Sequence, residues 1–331
     1  MASVFLVQPR ENWNYKALAL GKIPNWGWEL KDFKSICLVE VADAFNWNLI
    51  RTSTFALMPA WIALEAIREQ LWFDHATVKA GRKIDPRLSE YAGIVFSEEM
   101  ADEYDGLVKE HRSISDKELK KLLQDIGIDH IENHISTSKG LAVGVEIVFE
   151  SVIRESWTAF EDLARELWAV TLDNDDGTIQ GRIVGKTTRK NPSKNVKPIF
   201  SVRTHPGSYQ VETRLVIFQS IEEIKRLYDL AFPHSAKQLF DDVEGGYIYA
   251  LSAFQNVLTH TRGRVDREFL NKLSAFPEFK DIPEGDYIAP DGETVRRMRD
   301  AAMIIGRKLV ELADAELQRQ NPDNSSYRVR V

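Results

Sequence analysis

Asn256 and His260 stand four residues apart in the apolar-rich stretch from Gly246 to His260. On a helix, that spacing makes two side chains neighbours on one face. Imidazole titrates near neutral pH, so a histidine there can exchange a proton with a phosphodiester, and an adjacent amide can help position it. At about 100° per residue, Ser252, Gln255, Asn256, Thr259 and His260 fall on one side, and Tyr247, Leu251, Phe254 and Leu258 on the other. Arg262 and Arg264 follow at once, two guanidinium groups able to meet an anion. A plainer reading stands beside this one. The helix macrodipole alone favours a histidine at a C-terminus, and Asn256 could serve only as a hydrogen-bond partner for a neighbouring helix.

A second concentration of chemistry lies between Gly177 and Val211. Seven basic residues occur there (Arg182, Lys186, Arg189, Lys190, Lys194, Lys197 and Arg203), with no acidic residue, in a chain of net charge −7. His205 and Tyr209 add a titratable ring and a stacking surface. Such a window can neutralise phosphates and release counterions, which gives salt-dependent binding to nucleic acid. The alternative is a solvated loop paired with acidic residues of the N-terminal half, such as Glu98, Glu99, Asp102 and Glu103.

Other patterns carry less. Gly181-Arg182-Ile183-Val184-Gly185-Lys186-Thr187 is one residue short of a phosphate-binding loop. His130 and His134 have the spacing of two metal ligands on a helix but no third ligand, so no metal site is expected. No Gly-x-Ser-x-Gly elbow occurs, and Cys37 has no adjacent histidine, which leaves acyl transfer without support.

The run Gln255-Asn256-Val257-Leu258-Thr259-His260, followed by Gly263, Val265-Asp266 and Phe269-Leu270, resembles the signature of the HEPN family. That signature is an Arg, a polar residue, a short gap and a His, often followed by Gly and Val-Asp-x-x-Phe-Leu. The resemblance covers roughly residues 140–320. It implies a helical bundle that cleaves RNA without metal or cofactor, at a site formed by two motif helices facing each other in a homodimer. Asn256 matches the family's polar residue and His260 its histidine, but Gln255 stands where the arginine belongs. Glutamine cannot neutralise a phosphate or a pentacovalent transition state as guanidinium does. Arg262 and Arg264 are the nearby substitutes. Non-catalytic HEPN domains act as dimerisation or binding modules, and the resemblance also implies a bacterial defence or toxin–antitoxin setting. Three functions follow as expectations: a non-catalytic or weakly active RNA-associated module, an active ribonuclease using His260 across a homodimer, or a structural partner-binding protein.

The elements that must hold these residues read as helices. With 331 residues, 44% hydrophobic and 28% charged, the chain can bury a large core, and two domains are expected. The spacing predicts an N-terminal helical domain over 1–137, with helices near 31–50 and 54–73. It also predicts an acidic amphipathic stretch over 97–107 and a capping box at Ser115 that opens a helix to about Ile126. A C-terminal bundle over 138–320 begins with a helix through about Leu172, which Asn174-Asp175-Asp176-Gly177 stops. Residues 177–217 read as a basic loop or hairpin inserted in that bundle. A capping box at Ser220 starts the next helix, two more cover 241–261 and 291–319, and 321–331 reads as a tail. The predicted class is mainly all-α. Six of eight tryptophans lie in the first 72 residues, as expected of a packed unit. The single cysteine, Cys37, reads as a buried thiol, and a chain without disulfides suits a reducing, cytoplasmic compartment. The most apolar stretch, 55–73, carries Glu65, Arg68 and Glu69, so no membrane span is expected.

Overall fold

In the computed structural model, the described residues are 37–54, 139–183, 218–232, 243–274, 282–288 and 290–320, with Phe33, Ser35, Asp102, Gly106, Leu239, Phe240, Phe276 and Phe279. Among them the protein is all-α, 82% helical with no strand. No helix among them is long and apolar enough to cross a membrane. The chain divides into two compact units, Met1–Gly21 with Leu57–Ile147 and Lys22–Ala56 with Val148–Val331. Nearly all described residues fall in the second unit.

Helix α1 covers 37–54, α2 Lys139–Asp173, α3 Ile221–Ala231, α4 Val243–His260, α5 Arg267–Leu273 and α6 Gly292–Gln320. In α2 the apolar residues at helical spacing are buried, including Val152, Phe160, Leu163 and Leu167. The helix stops where expected. Asn174 Nδ2 donates to the Val170 carbonyl at 2.8 Å, and Gly177 turns the chain with φ +101°, a conformation that glycine adopts without strain. At the start of α3, Ser220 Oγ accepts from the Glu223 N–H at 3.3 Å, the N-cap expected from its sequence.

The stretch after Gly177 differs from the loop or hairpin expected. Residues 178–183 are helical, because Asp175 caps them: its carboxylate accepts from the Ile179 N–H at 3.0 Å and the Gln180 N–H at 2.9 Å. The remainder of the basic window, from Val184 to Val211, lies outside the described residues, as do the Ser115 capping box, His130 and His134.

Helix α1 packs on α6. The Ser35 N–H donates to Asp314 Oδ1 at 2.7 Å, Gln318 Nε2 donates to Ser35 Oγ at 3.1 Å, and the Phe45 ring lies over Gly306. Contacts between residues nearly 300 positions apart leave no local trace in a sequence pattern. Cys37, at the head of α1, is half-buried rather than fully buried. Desolvation pushes its thiol up to about 11, which keeps it protonated and weakly nucleophilic.

Helix α4 lies at the centre of the second unit, in contact with α3, α5 and α6. Phe254 meets Phe269 and Phe279 edge-on, with ring centroids 5.1 and 5.2 Å away, and so fixes α5 and the turn after it. A second aromatic cluster joins α2 to α3. Trp168 meets Tyr228 at 5.9 Å, and the Tyr228 hydroxyl donates to the Ala164 carbonyl at 2.8 Å.

Gly306 tests this packing. A Cβ there would lie 2.5 Å from the Phe45 ring and 2.9 Å from Leu163 Cδ2. Overpacking of this kind costs about 1–3 kcal/mol, which exceeds the ~1 kcal/mol that alanine gains over glycine in a helix. Gly306→Ala is expected to lower the thermal midpoint in calorimetry by a few degrees. A raised midpoint would mean that α1 does not pack there.

Candidate functional site

Over most of its length α4 cannot present a polar face. Ile248, Ala250, Leu251, Ala253, Phe254, Val257 and Leu258 are all buried, and so is Ser252. The two-faced division read from the sequence therefore fails at Ser252, whose hydroxyl is enclosed with no hydrogen-bond partner among the described residues. It holds in the last two turns, where Gln255 and Asn256 are half-buried and Thr259 and His260 are exposed.

The end of α4 is set by its cap. The Gly263 N–H reaches back to the Val257 carbonyl at 3.0 Å, with Gly263 at φ +81°. The loop so closed runs over seven residues, Val257 to Gly263, one more than a Schellman turn. Arg262, at φ +56°, takes a left-handed conformation that costs a residue with a Cβ about 1 kcal/mol. The Thr261 hydroxyl donates to the Val257 carbonyl at 3.0 Å, and also to the Arg264 carbonyl. The chain then pairs briefly with 285–288. The Val265 N–H donates to the Asp286 carbonyl and the Ile288 N–H to the Gly263 carbonyl, each at 2.8 Å.

Two adjoining cavities of about 320 and 680 Å³ open beside this end of α4, and both are lined by Asn256, His260, Glu268 and Lys272. Trp157 and Glu161 of α2, Glu222 at the head of α3, and Gln255 extend one wall. Asp266 closes the other, where its carboxylate accepts from the Phe269 N–H at 2.8 Å and caps α5. The sequence reading took Val265-Asp266-x-x-Phe269-Leu270 as part of a signature and did not anticipate α5. In the structure Asp266 is that helix's N-cap, and Phe269 is its buried anchor.

The cleft is more acidic than basic. Lys272 is bound on both sides, 3.0 Å from Glu268 and 3.5 Å from Glu222. Burial works against its charge, but the hydrogen bond to Glu268 and the charge of Glu222 outweigh this and hold its ammonium above the ordinary value. Burial likewise pushes the Glu161 carboxyl up, against the pull of Arg165. Asn256 and His260 make no hydrogen bond among the described residues, so both are open to a ligand.

The arginines read as substitutes for position 255 lie in different settings. The Gln255 amide donates to Thr259 Oγ1 at 3.2 Å. The Arg264 guanidinium stacks 4.4 Å from the Tyr287 ring centroid and donates to the Gly285 carbonyl at 3.0 Å, so its conformation is fixed by the short pairing. Arg262 is exposed and makes no ion pair among the described residues. Of the basic window only Arg182 is described. It donates to the Ala231 carbonyl at 3.1 Å and pairs with Glu316 at 2.8 Å, so its charge ties the ends of α3 and α6 together. Lys186, Arg189, Lys190, Lys194, Lys197 and Arg203 lie outside the described residues.

One cation at the end of α4 had no signal in the sequence. Arg154 Nη2, from α2, donates to the Leu258 carbonyl at 3.1 Å, within the last turn of α4. The two residues are 104 positions apart, and only the packing of α2 on α4 brings them together.

If Asn256 and His260 face a ligand rather than the core, removing them should leave folding intact. In urea denaturation, Asn256→Ala and His260→Ala are expected to change stability by no more than about 0.5 kcal/mol. Phe254→Ala, two residues away, is expected to cost about 3–5 kcal/mol. A loss above about 1 kcal/mol at Asn256 would assign it to structure instead.

Compared with protein-family models, with curated proteins and with solved structures, the chain matches none of them, so the HEPN resemblance rests on the motif residues alone.

Proposed function

We propose that this protein is a HEPN-like, RNA-associated module that binds without efficient cleavage and acts as a homodimer. The reading combines the motif resemblance with one observation about charge. The cleft at His260 and Asn256 is lined by Glu161, Glu222, Asp266 and Glu268, against a single lysine that two of those carboxylates already hold. Phosphoryl transfer places negative charge on non-bridging oxygens, and a catalyst must meet it with pre-positioned positive charge. Gln255 offers none, and Arg264 is occupied by Tyr287 and Gly285. RNA would then be held through the basic residues between Lys186 and Arg203.

The test is metal-free incubation of the wild type and His260→Ala with structured RNA, alongside binding measured at several salt concentrations. The expected outcome is binding without cleavage by either protein. Neutralising Lys186, Arg189 and Lys190 together is expected to reduce the log–log salt slope by about 2, the share of three single-strand phosphate contacts. Cleavage abolished by His260→Ala would replace this reading with an active ribonuclease. Absence of RNA binding at any salt would leave a protein-binding role.

A further inference from the structure

We infer that Arg154, with His260, forms a phosphate-binding position at the open end of the cleft. The inference deepens the RNA reading above and rests on it for the source of the phosphate. Arg154 shares one face of α2 with Trp157 and Glu161, three and seven residues on, and both of those line the cleft together with His260. The guanidinium reaches the other wall at the Leu258 carbonyl, which lies in the same helical turn as His260.

Guanidinium carries five N–H donors in a planar fork. The Leu258 carbonyl uses one. Among the described residues the Arg154 ion pair is with Glu150, loose at 3.6 Å, and both side chains are about half exposed, 49% and 47%. The remaining donors make no other hydrogen bond among the described residues. A planar donor group partly free of partners, anchored at one edge on the helical turn that carries His260, suits bidentate contact with phosphate oxygens.

The helix end would ordinarily repel an anion, since its last carbonyls carry partial negative charge. Two of those carbonyls are engaged: Val257 accepts from the Thr261 and Gly263 N–H groups, and Leu258 accepts from Arg154 itself. The carboxylates of Glu222 and Glu268 are drawn to Lys272. Arg154 is thus the cation at this end of α4 that no close carboxylate holds, with Glu150 its loose partner.

The test follows the His260 ring signals by NMR, assigned by comparison with His260→Gln, as inorganic phosphate and separately a short single-stranded RNA are added to the full chain. In the wild type both ligands are expected to shift the His260 signals saturably. Arg154→Gln should weaken saturation at least about tenfold, as loss of a charge-assisted hydrogen bond does, and Arg154→Lys should retain part of it. Arg307→Gln, an exposed arginine paired with Glu311 on α6, should change nothing. Equal saturation by wild type and Arg154→Gln would overturn the inference and leave RNA association standing. So would a wild type whose His260 signals ignore both ligands while RNA still binds elsewhere on the chain. Movement with RNA but not with phosphate would locate the nucleic acid at His260 without a phosphate position, and would also overturn it.

Discussion

The burial of α4 through its middle constrains everything around it. From Ile248 to Leu258 almost every residue is enclosed, so α3, α5 and α6 must close around this helix, while Phe254 locks α5 and the turn beyond it through edge-on ring contacts. A helix of 18 residues is about 27 Å long, and one enclosed through its middle can offer polar side chains to a ligand only near an end. The left-handed turn at Arg262 and Gly263, closed by the Gly263 N–H on the Val257 carbonyl, defines that end. The open position of Asn256 and His260 thus follows from packing and capping.

Charge decides what that open end can do. A histidine and an amide beside a cleft satisfy part of what acid–base chemistry on a phosphodiester needs, but the carboxylates around them favour cations. Lys272 meets this demand within the fold, bridging the head of α3 and the face of α5. What remains for an outside anion is the rim where Arg154 crosses from α2. Arg264, close in sequence to His260, is held by Tyr287, whereas Arg154, remote in sequence, reaches the same helical turn. Sequence distance is a poor guide to which arginine reaches a given helix end.

Long helices and their caps were legible in the sequence because their signals are local. The apolar stripe of α2, its stop at Asn174 to Gly177, the Ser220 cap and the extents of α4 and α6 all follow from periodicity and capping chemistry. Helix α5 was not legible, since seven residues give two turns and too little periodicity, although Asp266 three residues before Phe269 was a cap signal. The helical turn at 178–183 was hidden for the same reason, with Asp175 as its overlooked cap. Ser252 was assigned to a polar face because a helix buried all round has no true second face. The placement of α1 on α6 and of Arg154 at α4 depends on tertiary contacts alone.

The central claim is that α4 is enclosed through its middle and open in its last two turns, and native-state hydrogen exchange addresses it directly. The account predicts that the amides from Leu251 to Leu258 exchange only through global unfolding, with protection equal to the full unfolding free energy. It also predicts that the Arg262 amide, in the turn just past the helix, exchanges orders of magnitude faster. Fast exchange throughout α4, or slowest exchange in another helix while α4 opens independently, would contradict it.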